Sequence, residues 1–169
     1  MQTNIRTILD YIGYGIMIAS AVTLLIGFFV WFKGILPALI RLGNGFAKRK
    51  IAIFAKADNF DSLNDLLLDS KLFDKKNIIR ISSENDLGKA EQTTLYLVFW
   101  HDWLDSIDEI LRTKKDSTAL IIYAPQDLGL IPSNKMKDLN SKRNTMITNF
   151  RGRLLNDITM SMITTSYRR

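Results

Sequence analysis

The sequence predicts an α/β chain carrying one N-terminal transmembrane helix, and three observations lead there. Residues 11–32 are 22 consecutive positions without a charged side chain, and a helix of that length rises roughly 33 Å, the thickness of a bilayer hydrocarbon core. From residue 51 onward, short continuous apolar runs alternate with segments whose apolar residues recur every three or four positions. Such runs read as strands covered on both faces, between amphipathic helices. With no cysteine and one histidine, the chain has no disulfide framework, no thiolate zinc site and no Cys nucleophile, which suits a reducing cytosol.

The anchor comprises residues 1–43, with the span at about 11–32 and an apolar extension to 42. Tyr11, Tyr14 and Trp31 stand where amphipathic rings meet headgroups, and Lys33 can snorkel from the far end. Pro37 is expected to kink the extension. Residues 11–42 are too few for two spans and a turn, which need roughly 40. Arg6 stands alone before the span, whereas Lys33, Arg41, Lys48, Arg49 and Lys50 follow it. The positive-inside rule therefore predicts a single-pass protein of the inner, cytoplasmic membrane with its C-terminal domain in the cytoplasm. A cleaved signal peptide fits less well, because the apolar run is too long and Ala19-Ser20-Ala21 lies in its middle. Gly15, Ala19, Thr23 and Gly27 recur every fourth residue, a small-residue stripe suited to close helix association and a homo-oligomer. Residues 44–50, with Gly43-Asn44-Gly45 before Lys48-Arg49-Lys50, read as a basic hinge.

Residues 51–169 then form one ligand-sensing domain. Residues 51–55 (IAIFA) read as a first strand, and Asp61 or Ser62 caps a helix that buries Leu63, Leu66 and Leu67 and ends near Phe73. A second strand is expected at 77–81, a short helix within 82–92 and a third strand at 94–100. Asp102 is expected to cap the next helix, burying Trp103, Leu104, Ile107, Ile110 and Leu111. A fourth strand at 118–123 leads through Ala124-Pro125-Gln126 to a short helix at 133–139. A fifth strand at 145–150 precedes a last helix from Gly152 to about Ile163. Five strands alternating with helices predict a Rossmann-like or flavodoxin-like, mostly parallel sheet.

Open parallel sheets bind ligands beyond the carboxyl ends of their strands. That rule nominates Lys56 and Asn59 after the first strand, His101 after the third, Gln126 after the fourth, and Asn149, Arg151 and Arg153 after the fifth. The two arginines open a helix whose amides already favour an anion, so they are the foremost phosphate candidates. The formal charge of +6 is uneven: net +5 over residues 1–50, −5 over 51–134 and +6 over 135–169. Anionic lipid accounts for the first positive block, and phosphate, headgroups or an acidic subunit face are candidates for the second.

Several functions are disfavoured. There is no GxGxxG after the first strand and no P-loop, so no dinucleotide cofactor is expected. Response-regulator receivers need an Asp ending the third strand and a Lys ending the fifth, where this chain has Phe99-Trp100-His101 and Asn149-Phe150. His101-Asp102 is the only plausible acid–base pair, and adjacent residues seldom face each other, so the domain reads as a binder and not an enzyme.

One N-terminal span, a basic hinge and a small sensor domain make the architecture similar to bacterial antiviral membrane effectors, especially the type III CRISPR-associated membrane proteins gated by cyclic oligoadenylate. The likeness covers the whole chain and lies in architecture alone. It implies cytosolic domains that oligomerise, bind a cyclic oligonucleotide and perturb the bilayer through the spans, with no long nucleic acid as partner. A membrane-tethered adaptor and a tethered nucleotide-hydrolysing enzyme are the alternatives.

Overall fold

The computed structural model describes residues 2–165, except the side chains at 2, 3, 38, 41, 42 and 44–47. The chain divides into two units, residues 1–42 and 43–169. Helix α1 (Gln2–Lys48) fills the first and continues into the second. Within it Asn4–Pro37 is long and apolar enough to cross a membrane, reaches a mean hydropathy of 2.2 and is not buried in the fold. The helix continues through Pro37 and through Gly43-Asn44-Gly45, where the sequence signalled a hinge; only Arg49 and Lys50 separate it from the first strand. The Ser20 hydroxyl donates to the Ile16 carbonyl and the Thr23 hydroxyl to the Ala19 carbonyl. Thr23, one of the residues of the small-residue stripe, thus satisfies its proton on its own turn.

The second unit is an all-parallel sheet of β1 (Ile51–Phe54), β2 (Ile78–Ile81), β3 (Leu95–Phe99), β4 (Ala119–Tyr123) and β5 (Thr145–Thr148), in the order β2-β1-β3-β4-β5. This is the flavodoxin-like order of a doubly wound fold. β1, β3 and β4 are buried along their whole length, because their runs are apolar at every position. The side chains alternate between two cores. Ala52, Phe54, Tyr96, Val98, Leu120 and Ile122 face α3 (Leu87–Ala90), α4 (Ile107–Thr113) and α5 (Ser133–Ser141). Ile51, Ile53, Leu95, Leu97, Ala119 and Ile121 face α2 (Ala57–Asp69) and α6 (Arg151–Thr164).

Two helices begin where the sequence did not place them. α2 starts at Ala57, four residues before Asp61, and its N-cap Lys56 makes no side-chain cap bond. α4 starts at Ile107, so Asp102 lies in a 3-10 turn (Trp100–Asp102) and does not cap it. That turn exists because Trp100 and Trp103 both drop into the core, while Leu104, expected to be buried, is exposed. The fifth strand also ends early, at Thr148, so Asn149 and Phe150 belong to the loop before α6.

Arg49 is a further departure. Counted in the sequence as a juxtamembrane charge, it is buried, and its guanidinium donates to the carbonyls of Met162 and Thr165 and, at 3.2 Å, to the Thr165 hydroxyl. It closes the C-terminus of α6, where unpaired carbonyls and the helix dipole favour a cation.

Candidate functional site

In the order β2-β1-β3-β4-β5 the topological switch lies between β1 and β3, and ligands of such sheets bind there, beyond the carboxyl ends. In this chain the crevice holds a protein carboxylate. Asp102, half-buried after β3, accepts the backbone N–H of Lys56 at 2.7 Å and the side-chain amide of Asn59 at 3.1 Å to each oxygen. Ala57, between them, has φ of +37°, a left-handed value that costs an alanine energy. The Asp102 carboxylate thus holds a strained turn and takes the anion-binding position at the start of α2. Replacing Asp102 with Ala should cost about 2 kcal/mol, the scale of a lost charge-assisted hydrogen bond. Hydrogen exchange at the Lys56 amide checks it: the amide should exchange faster in the variant, and unchanged protection there would refute the latch.

His101 stands half-buried beside this latch, its ring 6.3 Å from that of Phe99. Its Nε2 lies 3.9 Å from the position a Cβ would take on Gly129, whose φ of +105° only glycine adopts without strain. The ring therefore lies near the loop after β4, within contact distance of any side chain that replaced Gly129. Its Nδ1 is buried with no hydrogen-bond partner among the described residues. Asp102 is committed to Lys56 and Asn59, so the two neighbours do not form an acid–base pair. Gln126 is exposed in the turn after β4.

At the end of β5, Asn149 is half-buried and Phe150, the N-cap position of α6, is 52% exposed. Arg151 is exposed and donates to the Ser62 carbonyl at 2.9 Å, tying the start of α6 to α2. The Arg153 guanidinium is exposed and makes no hydrogen bond or ion pair among the described residues. β4 and β5 pair with Tyr123 beside Thr148, so the Gln126 and Asn149 loops leave the sheet side by side.

The predicted residues thus share one edge but fall into four groups. Lys56 and Asn59 are gathered by Asp102, which sequence reasoning had assigned to its own helix. His101 lies near the Gly129 loop, a proximity with no local signal. Arg151 is tied to α2. Gln126 and Arg153 face solvent, and half-buried Asn149 adjoins exposed Phe150, an apolar ring that a reading for charged residues passes over. Among the described residues no three His, Asp or Glu gather as a metal-binding group. No protein-family model, no curated protein and no solved structure matches this chain.

Proposed function

We propose that the chain is a membrane-anchored, oligomeric effector whose α/β unit binds a cyclic oligonucleotide beyond β4 and β5 and thereby perturbs the bilayer in antiviral defence. One observation carries the ligand class: an exposed aromatic ring at Phe150 stands at a helix N-terminus, one turn from a guanidinium at Arg153 that is uncommitted among the described residues. A nucleobase stacks on such a ring while its phosphate meets the guanidinium and the helix amides. The β1/β3 crevice is the poorer site, because an anion entering it must displace Asp102. In this reading α1 spans the inner membrane with the α/β unit in the cytoplasm, and its small-residue stripe supplies the seam between copies. Ligand acts by favouring one arrangement of those copies over another.

Calorimetry of the full chain in detergent with cyclic oligoadenylates of several ring sizes tests the proposal. Binding should be weakened about tenfold, or 1.4 kcal/mol, by either Phe150→Ala or Arg153→Ala. Arg151→Ala should also loosen α2 from α6. No heat and no thermal shift with any ring would reject the nucleotide reading. The adaptor reading would then gain, since Leu128 and Leu130 are exposed on the same edge and offer apolar contact to a protein partner.

A further inference from the structure

The charge of the α/β unit is sorted along its strands. The segments that lead into strands (residues 49–50, 70–77, 91–94, 114–118 and 142–144) hold nine Lys or Arg against three Asp or Glu. Those that leave strands (residues 55–56, 82–86, 100–106, 124–132 and 149–150) hold one against five. In a parallel sheet every lead-in segment reaches the same edge. The amino edge is therefore basic, and the carboxyl edge is acidic except where Arg151 and Arg153 open α6. What reads along the sequence as two positive blocks flanking a negative one becomes a polarity between two edges.

Most of these cations are available to a partner. Lys50, Lys75, Lys76, Lys115, Lys142 and Arg143 are exposed, and their only ion pair among the described residues joins Lys76 to Asp74 at 2.9 Å. Lys114 instead turns inward to the Arg143 carbonyl at 2.6 Å. Burial lowers its pKa, the charge of Asp116 opposes that shift, and nearby Lys142 adds to it. Like charges are crowded here with only partial internal compensation, from Asp74 and Asp116, so an external anionic surface relieves the repulsion.

From this edge, and on the reading of α1 as a membrane span, we infer that the amino edge of the sheet docks on anionic phospholipid headgroups. The chain enters the unit at this edge, at Lys50 before β1. Eight residues, helical through Lys48, separate Leu42, the last apolar residue of the anchor's extension, from β1. They rise about 12 Å. An extension lying at the headgroups leaves a tether short enough for the basic edge to reach them, where each cation is attracted over about one Debye length. The carboxyl edge, with Phe150 and Arg153, then faces away from the lipid and open to solutes.

The test uses the full chain in phosphatidylcholine nanodiscs and in discs enriched in phosphatidylglycerol, with lysine acetylation read by mass spectrometry. Lys75, Lys76, Lys115 and Lys142 should label at least about threefold more slowly in the anionic discs, and raising the salt should abolish the difference. Lys56, on the carboxyl edge, and Lys89 should label alike in both. Lys115→Glu with Lys142→Glu should restore fast labelling of Lys75 and Lys76. Equal labelling in the two lipids overturns the inference and leaves the span standing, whereas a chain stripped from the discs by high salt overturns both. Slower labelling caused by a soluble oligonucleotide in phosphatidylcholine discs, with none caused by phosphatidylglycerol, assigns the edge to nucleic acid and overturns it as well.

Discussion

Replacing Arg49 with methionine should destabilise the α/β unit by about 3–5 kcal/mol, since charge-assisted hydrogen bonds are each worth about 1.5–3 kcal/mol and buried carbonyls left without donors add to the loss. Methionine keeps the apolar stem, so the deficit reports the guanidinium and not the packing. The bonds run to the carbonyls of Met162 and Thr165 and to the Thr165 hydroxyl, which anchor the end of α6 against the entry to β1. Lysine should recover only part of the loss, because an ammonium lacks the fork that reaches several acceptors at once. Its neighbour Lys50 is exposed, and Lys50→Met should stay within about 0.5 kcal/mol. Hydrogen exchange of the β3 and β4 amides measures global opening without interference from α1. Equal protection in the Arg49 and Lys50 variants would show that the buried guanidinium holds nothing.

Phe54→Ala should cost a similar 3–5 kcal/mol through a different cause, the cavity left in a core that relaxes only partly. Phe54 is fully buried, its ring 5.1 Å from that of Tyr96 and 5.4 Å, edge to face, from that of Trp103. It therefore joins β1 to β3 and to the segment that carries Asp102. Phe54→Leu, which preserves most of the volume, should lose less than half as much. In chemical denaturation, near-equal midpoints for the Ala and Leu variants would mean that the site collapses freely. A faster-exchanging Lys56 amide in Phe54→Ala would show the loss reaching the switch-point latch.

The central strands were legible because IAIF, LYLVF and ALIIY are apolar at every position, as burial on both faces demands. The boundaries of α2 and α4 were not. Asp61 and Ser62 are sound local caps that lie inside α2, since the chain already turns at Lys56 under a carboxylate from beyond β3. Asp102 carries the same local signal, yet two tryptophans sinking into the core delay its helix to Ile107. A cap is a short-range feature, and both exceptions come from contacts more than 40 residues apart in sequence.

The site shows the same division. The rule for parallel sheets placed Lys56, Asn59, His101, Gln126, Asn149, Arg151 and Arg153 on one edge from strand ends alone. It had no means of telling which would be used internally: Asn59 and Arg151 bond within the fold, while Arg153 makes no such bond among the described residues. Arg49 is the extreme case. Nothing local separates it from Lys48 and Lys50, and its acceptors lie 113 and 116 residues away.

That distance has a meaning in time. At a synthesis rate of about 5–20 residues per second, Arg49 leaves the ribosome roughly 6–23 s before Met162 exists to receive it. On the proposed reading of α1 as a span, the guanidinium is over that interval a not yet buried cation just behind it, and it counts with Lys48 and Lys50 in deciding which end of the inserting helix stays inside. Once α6 is made, the same charge is drawn into the fold. On that reading one arginine is a topogenic signal in the nascent chain and a helix cap in the finished one, and its substitution would be felt first as mis-oriented protein and only afterwards as unstable protein.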